Sequence, residues 1–227
     1  MSKQIADQAS TAPGDTPPPA TPTTFTLSAT NGSSVAGVSY FSVFPPPLKS
    51  PAVSVQVLTA LISNVTRSGQ EETTLTWNGG SGALALLAIA GNGKGDPATA
   101  EKTPVTLGGK ATVTFANGTY AIAVSTGGPA NSIEVDFDLT VPPASLVGLV
   151  VGPAAILLAP PAGMGPLILE PDLSRTVTVV FGTACTYPPP AISDVDQGST
   201  VMFASSGASA ASAQIKVGPD NLIVQTG

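Results

Sequence analysis

Histidine is absent from all 227 residues of this sequence. It is the commonest general base, a usual zinc ligand and the partner of serine or cysteine in nucleophile pairs, so sites that depend on histidine are excluded. Cysteine occurs once, as Cys185, which leaves no ligand set for an iron–sulfur cluster and no intramolecular disulfide. We expect Cys185 to be a small buried hydrophobic residue. We therefore expect no enzyme activity, no catalytic residues and no cofactor.

Charged residues are also scarce, at 10% of the chain against about 25% in an average soluble domain. The net charge is -6, and the eight basic residues are scattered, so no basic patch is available for nucleic acid. Hydrophobic residues make up 42%, which argues against disorder. The surface must consist largely of neutral small side chains, and such a surface permits close association between copies.

A membrane-spanning helix is not expected in the longest uncharged segment, Val141–Leu169. Six prolines interrupt it, and its longest proline-free stretch, Ala144–Gly152, is far shorter than the roughly 20 residues that a spanning helix needs. We predict two or three buried strands there. The first fifteen residues lack the apolar core of a secretory signal, so a cytoplasmic location or release by a signal-independent route is expected.

The chain divides by composition into a tail and a β-rich remainder. Residues 1–22 are rich in proline and threonine and are predicted to be a flexible, extended tail. Residues 23–227 are predicted to form one β-sandwich domain, with an alternative sub-boundary near residues 140–145.

From Thr23 onward, apolar and polar residues alternate with the period of two that is typical of half-buried strands. The predicted strands are Thr23–Ala29, Gly37–Phe44, Ala52–Leu58, Glu72–Asn78, Ala111–Ala116, Tyr120–Ser125, Ile133–Val141, Leu146–Val151, Ala154–Leu158, Leu167–Glu170, Thr176–Phe181, Thr200–Ala204, Ser209–Val217 and Leu222–Gln225. The flanking glycines make Ala83–Ala90 a buried strand rather than a helix. Asn117-Gly118 predicts a hairpin turn, because both central residues of a type I′ turn need positive φ. The fold class is therefore all-β, an antiparallel and jelly-roll-like sandwich.

The densest carboxylate group is Glu134, Asp136 and Asp138, which alternation places on one face of a strand. Such a face could bind calcium or supply the paired carboxylates of a glycosidase. A solvated outer face, with Leu139 and its alternate neighbours in the core, explains the pattern equally well. Only one tryptophan is present, although sugar-cleaving sites usually offer aromatic platforms.

A second acidic pair, Asp194 and Asp196 before Gly198, is similar to the beginning of a calcium loop. The third ligand and the distal glutamate of such a loop are missing. These two groups are the only metal-site candidates, and we expect no metal.

Short segments in the same order resemble the RhiA-like proteins, a rhizosphere-expressed family of β-sandwich proteins. They are Tyr40–Pro47, Glu72–Trp77, Ser145–Ala159, Asp172–Gly182 and Val217–Thr226. The resemblance covers most of residues 24–226, and none of these segments is a chemical signature. It implies a β-sandwich without a signal peptide and supplies no catalytic residues. The long proline-rich tail and the low aromatic content depart from the family.

Three functions remain open from the sequence. The first is a structural, self-associating protein, because strands without covering helices leave sheet edges and low charge protects edges poorly. Its tail would contact a neighbouring subunit, either by pairing through Thr23–Ala29 or by lying across it. The second is a sandwich that binds a glycan or another small ligand, and the third is a carboxylate hydrolase using Glu134, Asp136 and Asp138.

Overall fold

The computed structural model describes residues 21–49, 56–58, 61–91, 95–158, 165–182, 198–207 and 209–227. These residues form β-strands throughout, apart from loops and one 3-10 turn at Ser81–Ala83. Within them, no helix has the length and apolarity required to span a bilayer. The strands lie in four sheets, which we name A to D.

Sheet A has the order β17-β18-β1-β6, and β19 pairs with the same edge of β18 as β17. Its strands are β1 (Thr23–Asn31), β6 (Glu71–Gly79), β17 (Ala204–Gly207), β18 (Ala210–Val217) and β19 (Ile223–Gln225). The parallel pairing of β1 with β18 joins the beginning of the strand-forming region to its end. Strand β1 is central, because β6 occupies its other edge.

Sheet B has the order β16-β15-β2-β4, with β5 pairing to the first part of β2. Its strands are β2 (Val38–Phe44), β4 (Leu61–Ile62), β5 (Thr66–Arg67), β15 (Thr176–Gly182) and β16 (Ser199–Met202). One extended segment serves two sheets here, since β16 belongs to sheet B and β17, after the buried Phe203, belongs to sheet A.

The middle of the chain supplies nearly all of the other two sheets. Sheet C, in the order β3-β13-β12-β7-β8, contains β3 (Gln56–Leu58), β7 (Ala85–Ala90), β8 (Thr103–Pro104), β12 (Ser145–Val151) and β13 (Ala154–Leu158). Sheet D, in the order β10-β9-β11-β14, contains β9 (Gly109–Ala116), β10 (Thr119–Thr126), β11 (Ile133–Phe137) and β14 (Leu167–Leu169). In sheet D the central β9 and β11 are parallel.

Two main clusters of buried side chains hold these sheets in pairs. Sheets A and B enclose one, which includes Phe25, Leu27, Phe41, Val43, Trp77, Val179 and Ile215. Sheets C and D enclose the other, which includes Leu86, Val113, Ile133, Val135, Leu149, Ile156 and Leu169. Alternation explains both, because every second residue of a strand faces the opposing sheet.

The prediction of an all-β sandwich is confirmed by this architecture. Ala83–Ala90 contains strand β7, and the uncharged segment Val141–Leu169 contains the three buried strands β12, β13 and β14. The predicted strand Ile133–Val141 is shorter and ends at Phe137. The jelly-roll connectivity stays a prediction.

The domain division also stays a prediction. Residues on both sides of 140–145, such as Val135 and Val147, contribute to one buried cluster. Residues 1–20 of the tail lie outside the described residues, as do residues 52–55 of the predicted strand Ala52–Leu58.

Candidate functional site

The carboxylates of Glu134 and Asp136 lie on the outer face of sheet D, on strand β11. Parallel pairing with β9 sets Glu134 beside Lys110. The Lys110 Nζ lies 2.5 Å from Glu134 Oε1 and 2.9 Å from Asp136 Oδ2. One ammonium group therefore bridges both carboxylates, and we name these three residues the Lys110 cluster.

The electrostatics of the Lys110 cluster favour the charged lysine. Hydrogen bonds to Glu134 first and to Asp136 second raise the pKa of Lys110 above its ordinary value. A calcium ion at this position would have to displace the ammonium group from both carboxylates. The sequence pattern gave no sign of this partner, because Lys110 lies on a different strand, 24 residues earlier.

Asp138 does not join the other two carboxylates. It lies one residue beyond β11, in a turn where its Oδ1 accepts a hydrogen bond of 2.9 Å from the Thr140 N–H. Hydrogen bonding to Thr140 lowers the pKa of the Asp138 carboxyl. The expectation that Leu139 lies in the core is wrong, because the turn leaves this side chain 95% exposed.

The remaining predicted site residues, Asp194, Asp196 and Cys185, lie outside the described residues. Within the part of the chain that the structure describes, no group of three or more Cys, Asp or Glu side chains is placed to hold a metal ion.

The edge of sheet D opposite the carboxylates is formed by β10. This strand follows β9 through the two-residue turn at Asn117 and Gly118, both of which have positive φ as the sequence predicts. In the described residues β10 pairs with β9 alone, so its other edge has no strand partner. Its eight residues include no charge and no proline.

Strand β10 is exposed over most of its length. On the inner face Tyr120 and Ile122 are half-buried against the core of sheets C and D, whereas Val124 is 41% exposed. On the outer face the residues are the small Thr119, Ala121, Ala123 and Ser125, all exposed. An exposed, uncharged edge of this length is the kind that natural proteins usually protect.

An open groove lies beside the first half of β10. It has a volume of about 470 Å³ and is lined by residues of β7, of the 95–103 segment and of Thr119–Ile122. Its lining includes the apolar residues Ile89 and Ile122 and the acidic residues Asp96 and Glu101.

Tyr120 fixes the position of β10 against sheet C. Its hydroxyl lies 2.7 Å from Ser145 Oγ, and Ser145 Oγ donates a hydrogen bond of 2.6 Å to the Pro142 carbonyl. Because the serine has one hydrogen to donate, the tyrosine must be the donor in their shared bond. The edge strand is thus held in place although its outer edge has no strand partner among the described residues.

No family of known proteins, no curated protein and no solved structure matches this chain.

Proposed function

We propose that this protein is a non-enzymatic structural protein that associates with itself through exposed sheet edges. The observation that carries the proposal is β10, an edge strand of eight residues without a charged side chain. A strand edge presents unpaired N–H and C=O groups that another chain can pair. The scarcity of charge over the whole sequence weakens the repulsion that usually keeps such edges apart.

Other described edges are better protected than β10. The edge strands β3, β4, β5, β8, β14 and β19 have two or three residues each, β17 has four, and β8 contains Pro104. The nine-residue edge β6 begins with Glu71 and Glu72. Because β10 combines length with the absence of charge and proline, the comparison of edges favours β10 as the surface of association.

The edge of β16 is closed by a side chain. The Gln225 Oε1 accepts a hydrogen bond of 3.0 Å from the Met202 N–H, and its Nε2 donates one of 2.6 Å to the Met202 carbonyl. The amide of Gln225 pairs with Met202 as the backbone of a neighbouring strand would, which leaves less of this edge for another chain.

Pairing of the N-terminal tail with a neighbouring subunit through Thr23–Ala29, one of the two routes expected from the sequence, stays a prediction that the sheet order disfavours. These residues belong to β1, whose two edges are occupied by β6 and β18. Contact of the tail with a neighbouring subunit by lying across it stays a prediction.

A charge placed on β10 tests the proposal. We expect Val124→Lys to weaken self-association about tenfold or more, because an ammonium group would have to lose water at the contact. The matched control is Val65→Lys, since Val65 is similarly exposed, at 43% against 41%, and lies in a loop. Sedimentation velocity over a concentration series measures both variants, and equal association of the two would reject β10.

A second candidate function is binding of a glycan or another small ligand, which the groove beside β10 favours. Its volume of about 470 Å³ falls in the range of small-molecule sites. Its one aromatic residue, Tyr120, uses its hydroxyl toward Ser145, so stacking would have to come from the ring alone. A glycan array with and without calcium checks this function, and absence of binding in both conditions would remove it.

A further inference from the structure

The direction of the free backbone groups of β10 follows from its turn. In a two-residue hairpin the residues flanking the turn, here Ala116 and Thr119, form a hydrogen-bonded pair. Residues 119, 121, 123 and 125 therefore direct their N–H and C=O groups toward β9. The groups of Tyr120, Ile122, Val124 and Thr126 are directed toward the free edge.

Because only every second residue of β10 directs its backbone groups toward the free edge, a second β10 can pair with it in few registers. In an antiparallel pair, hydrogen-bonded residues must both direct their groups toward the partner. A two-fold axis at Ala123 brings Tyr120 opposite Thr126 of the second copy and Ile122 opposite its Val124. All four outward residues then find partners, whereas an axis at Ile122 leaves Thr126 opposite the turn residue Gly118.

We propose that two copies of this chain pair their β10 strands antiparallel about a two-fold axis at Ala123, which joins two copies of sheet D into one continuous sheet. The inference rests on the proposed self-association and names its surface and partner. Ile122 and Val124 then form apolar cross-strand pairs on the inner face, and the exposed part of Val124 is covered. On the outer face two alanines meet at the axis, where their small side chains fit.

The charges of the molecule favour a second copy over a charged partner. Ala121 of one copy lies opposite Ser125 of the other, and the neighbour of Ser125 on β9 is Lys110. The two Lys110 clusters therefore lie toward opposite ends of the paired strands, and no charged side chain of the outer face has a charged one directly opposite.

The groove gives room for the incoming inner-face side chains. It opens beside Thr119–Ile122 and its lining includes the apolar Ile89 and Ile122, so it accepts a neutral, β-branched side chain such as Val124 of the second copy. Asp96 and Glu101 in its lining would repel an acidic segment. A second β10 is uncharged and carries the β-branched Val124, so it fits the groove and is not repelled by these two acidic residues.

Engineered cross-linking tests the register. Across the axis, Ala123 and its counterpart form a non-hydrogen-bonded pair. The Cα atoms of such a pair lie about 4.5 Å apart, which is within disulfide range. We expect Ala123→Cys, in a chain that also carries Cys185→Ser, to give a cross-linked dimer under mild oxidation. The control Ala121→Cys should give none, because its counterpart lies about four residues away along the strand.

The outcomes separate the inference from the proposed function. A dimer that forms in sedimentation experiments without the Ala123→Cys cross-link overturns the inference and leaves self-association standing. Cross-linking of Ile122→Cys instead of Ala123→Cys overturns the register. Absence of any association in the unmodified chain overturns both. The unmodified chain under the same oxidant measures how much cross-linking occurs through Cys185. The Val124→Lys variant tests the contact between the two β10 strands without introducing a cysteine.

Discussion

Lys110 is the residue that most changes the interpretation of the sequence. Alternation correctly places Glu134 and Asp136 on one face of β11, but it contains no information about the neighbouring strand. The ammonium group reaches them through the parallel pairing of β9 and β11. A charge pattern within one strand can therefore be predicted, while the charge that it meets across the sheet cannot.

The stabilisation by Lys110 should depend on pH at the alkaline end. Its pKa is higher in the folded chain than its ordinary value near 10, so the contribution is fully present below about pH 10 and is lost as the pH rises further. We expect Lys110→Met to unfold more easily than the unmodified chain at neutral pH, with a gap that narrows above about pH 10. Urea denaturation at several pH values measures this gap.

Lys102→Met is the control for this experiment. The described contact of the Lys102 Nζ is a 3.4 Å hydrogen bond to the Ala98 carbonyl on the surface. Its substitution should produce a smaller effect at neutral pH. A gap for Lys110→Met that stays constant into the alkaline range would contradict the assignment of the ion pairs.

Asn31 is a second residue whose role depends on its neighbours. It is fully buried at the end of β1. Its Nδ2 donates to Thr66 Oγ1 at 3.2 Å, and its Oδ1 accepts from the Ser33 N–H at 3.1 Å. This amide links sheet A to β5 of sheet B.

We expect Asn31→Ala to lower the free energy of unfolding by about 1–3 kcal/mol, because two buried groups lose a hydrogen-bond partner. Asn78→Ala is the matched control, since Asn78 is exposed and accepts a 3.4 Å bond from Thr24. Its effect should stay within about 0.5 kcal/mol. Chemical denaturation of both variants makes the comparison, and equal losses would count against the buried link.

At the scale of elements, the β9–β10 hairpin was the most predictable feature and its edge position the least. Asn117-Gly118 defines the turn through local backbone conformation, and the structure has positive φ at both residues. Which strand becomes an edge depends on pairings between segments far apart in the chain, such as β9 with β11. Local alternation is the same for an edge strand and a central one.

The base of this hairpin depends on a close backbone contact at Gly128. A Cβ there would lie 2.2 Å from the Gly109 carbonyl oxygen, at the residue where β9 begins. We expect Gly128→Ala to destabilise the fold by about 1–3 kcal/mol, because the backbone must shift.

Gly182→Ala is the matched control, since no described residue lies within 4 Å of a Cβ at that position. Thermal unfolding followed by circular dichroism compares the two variants. Similar melting temperatures would show that the β9–β10 base tolerates the shift.

At the scale of the whole molecule, the sequence predicts the fold class but not the grouping of strands. Alternation and turn residues are local, so nearly every strand could be placed from them. The parallel pairing of β1 with β18 and the passage from β16 to β17 between two sheets depend on long-range packing. The same limit explains why low charge predicts association, whereas the edge proposed for it follows only from the sheet order.

Sedimentation velocity of the unmodified 227-residue chain tests self-association most directly. Over a series from low to high micromolar concentration, we expect a shift from monomer to a closed dimer, because a two-fold contact uses the same edge on both copies. A monomer at every concentration would contradict it.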